Sequence, residues 1–145
     1  MKTIIVGCSD EYLCWRLANW LRSLGHSVIE ADSGAKVLAR ALELEADLVI
    51  LDSNIRGIFA QDTCRYLRAQ RETSAIPILV LAPANEKETY MKIGASLVIE
   101  KNAGREQLLQ AAEKLLSPGV PDLNQEILDL SQLVWAKKSI RTSSS

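Results

Sequence analysis

Asp52 closes the most apolar run in the sequence, Leu48-Val49-Ile50-Leu51. A carboxylate at the mouth of a buried strand can act as a nucleophile, and an aspartate that attacks a phosphoryl group forms an acyl phosphate. The plainer reading is turn chemistry, because the side chains of Asp52-Ser53-Asn54 can bond nearby backbone N–H groups. Lys101 follows a second β-rich run, Ser96–Ile99. It could neutralise a phosphoryl oxygen or pair with Asp52 itself, although a lone lysine is usually an exposed surface group. Cys8 follows a third run, Thr3–Val6. A thiol beside a lysine suits a redox-sensitive cysteine, whereas a buried one more often serves as a small apolar filler. Taken singly, each bland reading wins. An acid and a base at the same rim of one sheet shift the balance toward a shared site.

The elements that would bring them together are legible. Five short β-rich runs, Thr3–Val6, Val28–Ala31, Asp47–Leu51, Ile76–Leu81 and Ser96–Ile99, alternate with stretches of helical period. Leu13, Leu17, Trp20, Leu21 and Leu24 recur at three and four residues and form one stripe, which Gly25 stops. A second helix is expected from about Gly34 to Glu45, with Val37, Leu38, Ala41 and Leu42 inward, and a third from about Ala60 to Gln70. A short fourth opens on Asn85 as its cap, with Glu88 three residues on, and ends at Gly94. A fifth covers about Gly104 to Leu116. Alternation of this kind predicts an α/β fold with a doubly wound, five-stranded parallel sheet, (βα)5. Ligands of such sheets sit at the carboxyl ends of the strands, here Gly7–Asp10, Asp52–Gly57, Ala82–Ala84 and Glu100–Asn102.

Composition narrows the classes further. The 145 residues carry 17 Lys+Arg against 18 Asp+Glu, so a net charge of −1 offers no field for nucleic acid or an anionic membrane. No apolar run reaches membrane-spanning length. Met1-Lys2 and the isoleucines that follow open like a secretion signal, but Asp10 and Glu11 cut it short. Cys8, Cys14 and Cys64 form no C-x-x-C pair, and His26 is the one histidine. A disulfide framework or zinc site is not expected, and a reducing cytoplasm is the default. No Gly-rich nucleotide loop is present. Residues 1–117 read as one domain. The remainder, 118–145, reads as a linker, an amphipathic stretch through Leu123, Ile127, Leu130, Val134 and Trp135, and a polar tail. Trp15, Trp20 and Trp135 read first as core or helix-packing residues, and Trp15, off the stripe of the first helix, has an exposed protein contact as its alternative reading.

Residues 1 to about 117 resemble the receiver domains of two-component response regulators. The resemblance rests on Val28-Ile29-Glu30-Ala31-Asp32-Ser33-Gly34, Ala46 to Asp52, Ile76-Pro77-Ile78-Leu79-Val80-Leu81, and Gly94-Ala95 followed by Lys101. It implies a flavodoxin-like sheet with strand order 2-1-3-4-5. It implies Asp52 as the phosphoacceptor position, Asn54 as the residue whose carbonyl ligates Mg²⁺, Lys101 as the phosphoryl-contact lysine, and Gly57 as the glycine closing the following loop. The implied partners are a histidine kinase or another signalling protein.

Several positions depart from that family. Gly7-Cys8-Ser9 replaces the adjacent acids that hold Mg²⁺, a hard cation that wants oxygen ligands. Asp10 could lean in beside Asp52 and Asn54 as a makeshift ligand, but it would more naturally cap the first helix. The switch hydroxyl is replaced by Ala82, the switch aromatic by Val98, and the prolines of two loops by Arg56 and Asn102. The fourth helix is shortened. This pattern is that of a pseudo-receiver: a non-enzymatic protein-interaction module, without a cofactor, in which Lys101 pairs with Asp52. Dimerisation through the face of the fourth helix, fifth strand and fifth helix stays open. Two alternatives stand beside it: a degenerate phosphoacceptor using Asp52 with Mg²⁺, and a small-molecule or redox sensor at the Cys8, Asp52 and Lys101 rim.

Overall fold

The computed structural model describes residues 1–117. The expected linker and the amphipathic stretch ending near Trp135 lie outside the described residues. Five strands, β1 (Thr3–Gly7), β2 (Ser27–Ala31), β3 (Leu48–Asp52), β4 (Ile78–Leu81) and β5 (Leu97–Ile99), pair in parallel in the order β2-β1-β3-β4-β5. The helices between and after them are α1 (Glu11–Arg22), α2 (Gly34–Glu43), α3 (Ala60–Ala69), α4 (Lys87–Lys92) and α5 (Arg105–Leu116). The doubly wound (βα)5 sheet and its strand order are as expected.

Strand alternation explains the two-sided core, since successive side chains point to opposite faces. Ile4, Val6, Leu48, Ile50, Leu79, Leu81 and Ile99 pack under α1 and α5 with Leu13, Leu17, Leu21 and Leu108. Ile5, Val49, Leu51, Ile78, Val80 and Val98 pack on the other side with Val37, Ala41, Cys64, Leu67 and Tyr90. All five residues of β3 are buried, as are the four of β4 beside it, so the strand carrying Asp52 is covered on both faces.

Local chemistry sets the helix starts. Asp10 accepts hydrogen bonds from the backbone N–H groups of Tyr12 and Leu13 at 3.0 and 3.1 Å, capping α1. Ser33 does the same for α2, accepting from Lys36 N at 3.2 Å. Gly34 has no room for a side chain, because a Cβ there would stand 2.5 Å from the carbonyl oxygen of Ile58. Gly25 ends the first helical segment at φ +88°, a left-handed conformation that costs glycine little.

Three expectations need correction. Leu24 and Leu42 are exposed rather than inward. The helix before Leu24 has already ended at Arg22, and Leu42 sits in the last turn of α2, one residue before its end at Glu43. Asn85 does not cap α4. A 3-10 turn over Ala84–Glu86 precedes the helix, and neither end of that turn carries a side-chain cap.

Cys64 is fully buried on α3, and burial pushes its thiol from the ordinary 9.0 up to about 11. The folded state therefore resists the thiolate more than the unfolded chain does. Its contribution is full below pH 9.0 and is lost as pH rises through about 11. Urea titrations should show stability falling by on the order of 2–3 kcal/mol across that window. Cys64→Ala should flatten the slope there, and an unchanged slope would contradict the assignment.

Candidate functional site

Asp52 ends β3 with 2% of its surface exposed. Both oxygens of its carboxylate are contacted, by groups from three parts of the chain. Lys101 Nζ lies 3.3 Å from Oδ2, and the Cys8 thiol donates toward the same oxygen at 3.6 Å. Oδ1 accepts the backbone N–H of Asn54 at 3.2 Å. The turn chemistry and the rim pairing expected as alternatives thus coexist on the two oxygens of one side chain. Lys101 is brought there by the loop after β5, and Cys8 by the end of β1, where its own N–H donates to the carbonyl of Ala31 at 2.9 Å.

Cys8 also has a second acceptor, the carbonyl of Asp10 at 3.5 Å, which takes the Cys14 N–H as well. The thiol of Cys14 is held well above the usual thiol range, first by a hydrogen bond with the Cys8 side chain and then by burial. Both cysteines lie on the wall of a cavity of about 770 Å³, which Ser9, Asp32, Lys36 and Arg56 also line. Ser9 fastens this region. Its hydroxyl donates to the Asp32 carbonyl at 3.0 Å and accepts the Arg56 N–H at 2.7 Å. Gly57 follows at φ +79°, turning the chain toward α3.

The residues at the rim do not suit Mg²⁺. A hard cation of this kind requires several oxygen ligands in near-octahedral arrangement. Among the described residues, no three His, Cys, Asp or Glu side chains converge to hold a metal. Asp10, the one acid that could have joined Asp52 and Asn54, spends Oδ1 on the cap of α1. Cys8 presents sulfur, a soft donor, where an acid would be wanted. A side chain at Gly7 would force Val37 to shift, because a Cβ there would stand 2.5 Å from Val37 Cγ2 and 3.1 Å from Leu51 Cδ1.

Ala82 is fully buried after β4, with its N–H donating to the Ile99 carbonyl at 3.0 Å, and Val98 is buried in β5. Neither side chain carries a polar atom or ring that could report on a group at Asp52.

Sequence reasoning missed three residues. Tyr90 is buried on α4, where burial first, then the charges of Glu86, Cys64 and Asp52, push its phenol up to about 12. Arg68 on α3 reaches four groups beyond its own helix. It donates to the carbonyls of Gly94 at 2.9 Å, Ser74 at 2.9 Å and Ile76 at 2.6 Å, and to Ser96 Oγ at 3.3 Å. Arg16 on α1 lines a second cleft with Asn54, Pro83, Glu100, Lys101 and Asn102. A three- and four-residue spacing of aromatic and basic residues from Tyr12 to Trp20 was the available signal for the last.

Comparison with known proteins places this geometry. Protein PilH of Pseudomonas aeruginosa is 26% identical over 120 residues, spanning 81% of this chain and 99% of its own. Sensory transduction protein RegX3 of Mycobacterium tuberculosis is 26% identical over 125 residues, covering 84% of this chain but 54% of its own length. The solved structure of chemotaxis response regulator CheY4 of Vibrio cholerae superposes with a TM-score of 0.74 at 22% identity, over 79% of this chain and 98% of that one. Residues 9–113 match the model of the response regulator receiver domain, and the chain belongs to that family.

Proposed function

We propose that this receiver domain signals through protein contacts and does not accept a phosphoryl group at Asp52. The observation that carries the reading is the Asp52 carboxylate itself, engaged by Lys101 at 3.3 Å and by the Cys8 thiol in the acid position. Phosphoryl transfer depends chiefly on positioning and on charge neutralisation by a metal ion. With Asp10 committed to a helix cap, the ion would have one carboxylate, a backbone carbonyl and water. Ala82 and Val98 also leave no contact that differs between two states, and a ligand shifts an equilibrium only through such a difference.

In this reading the domain is a cytoplasmic binding module rather than an enzyme, without cofactor, and its partner is another signalling protein. Its net charge of −1 argues against nucleic acid or an anionic membrane as targets. No helix among the described residues is long and apolar enough to cross a membrane. The face of α4, β5 and α5 is a candidate partner or dimer surface, and the six-residue α4 makes it unlike that of a longer-helixed receiver. The redox alternative is weakened by the burial of Cys8, 1% exposed, since structural buried cysteines are inert.

Titration with beryllofluoride and Mg²⁺, followed by amide NMR shifts, should give no saturable change near Asp52. Saturable, Mg²⁺-dependent binding that disappears in Asp52→Ala would overturn the proposal in favour of the phosphoacceptor.

A further inference from the structure

The outer side of α1 carries a ladder of rings and one cation. Trp15 and Tyr12 are 59% and 65% exposed, and their rings stack with centroids 6.2 Å apart. The Arg16 guanidinium lies over Tyr12 at 5.4 Å and over Trp20 at 5.3 Å. The spacing is the helical one, residues 12, 16 and 20, so the backbone itself sets the stack. A planar guanidinium with rings against it keeps its edge of N–H groups as the route to an acceptor.

None of the described residues accepts a hydrogen bond from the Arg16 guanidinium. Arg16 forms none of their ion pairs, and its Nε is buried without a hydrogen-bond partner. Its neighbours in the adjoining cleft include Lys101, already paired with Asp52, and the exposed Glu100 on the rim. Asp52 answers the charge of Lys101, so of the two cations lining this cleft Arg16 is the one without a paired acid. Trp, Tyr and Arg are also the residue types that concentrate binding energy at protein interfaces.

We infer that this face of α1 docks an acidic segment of a protein partner, with one carboxylate seated on Arg16 and an apolar neighbour against Tyr12 and Trp15. Charge complementarity selects the occupant. An unpaired guanidinium held between aromatic rings fits a carboxylate beside an apolar side chain. It does not fit a polyanion, which would meet Glu11 and Glu100 at the two bordering cavities. The inference rests on the reading that this domain works by protein contacts, and it gives the partner's chemistry.

The test is selection of a random short-peptide library on the immobilised full chain, without Mg²⁺ or a phosphoryl donor. Enriched peptides should carry Glu or Asp next to Leu or Phe. Their binding should shift the ¹⁵Nε resonance of Arg16 and weaken by about ten-fold or more in Arg16→Gln. Replacing the peptide's acid by its amide should cause the same loss. Enrichment of basic or neutral sequences, or an Arg16 resonance that stays put, would overturn the inference without recourse to the variant. Because no step involves Asp52, a negative result here leaves the beryllofluoride outcome independent.

Discussion

Arg68→Ala is expected to lower the unfolding free energy by about 3–4 kcal/mol, the largest loss among single substitutions outside the apolar core. The guanidinium leaves α3 and donates to the carbonyls of Gly94, Ser74 and Ile76 and to Ser96 Oγ. It thereby ties the loop before β4 to the turn before β5. Charged hydrogen bonds of this kind contribute roughly 1.5–3 kcal/mol each, but four on one side chain do not add fully. Removal also leaves the part-buried carbonyls of Gly94 and Ile76 without their side-chain donor. The same burial that makes the bonds strong disfavours the charge, holding the Arg68 guanidinium below its ordinary range. Arg68→Lys should recover little, because an ammonium cannot address the separate acceptors that a planar fork spans. Urea denaturation measures the loss directly, and a change below about 1 kcal/mol would show that the carbonyls find other partners.

The second prediction is an asymmetry at the Asp52 and Lys101 pair. Lys101→Met should cost about 2–3 kcal/mol, whereas Asp52→Asn should cost about 1 kcal/mol or less. Breaking a buried pair hurts when the charge left behind cannot reach water. Asp52 is 2% exposed, so its carboxylate would be left with the Cys8 thiol and the Asn54 N–H alone. The Lys101 side chain is 36% exposed, so its ammonium can swing into solvent when Asp52 is neutralised. That exposure is also the reason for placing the Lys101→Met figure below the usual range for a fully buried pair. The double variant should lie closer to wild type than Lys101→Met does, because the stranded charge is gone. Equal costs for both single variants would mean that the pair is solvated and holds nothing in place.

The strand run Leu48-Val49-Ile50-Leu51 and the stripe Leu13, Leu17, Leu21 made the fold legible, since burial on two faces or one leaves a direct mark on residue type. Leu24 and Leu42 carry the same mark but lie where their helices run out. Periodicity reports a face and says less about where that face stops being covered. The rim was readable where chemistry follows strand ends, as with Asp52, Lys101 and Cys8. Arg68 was not, because its partners lie 6 to 28 residues away and are mostly backbone carbonyls, which every residue possesses. The crowding of Gly7 by Val37 was hidden for a related reason. It depends on how closely α2 approaches β1, a packing distance that no residue pattern states.

The central claim is that Asp52 is a structural carboxylate, neutralised from within the protein, rather than an acceptor of phosphate. Intact-protein mass spectrometry after incubation with acetyl phosphate and excess Mg²⁺ tests it most directly. The account predicts that the full chain keeps its unmodified mass. A Mg²⁺-dependent increase by one phosphoryl group, absent in Asp52→Asn, would contradict it.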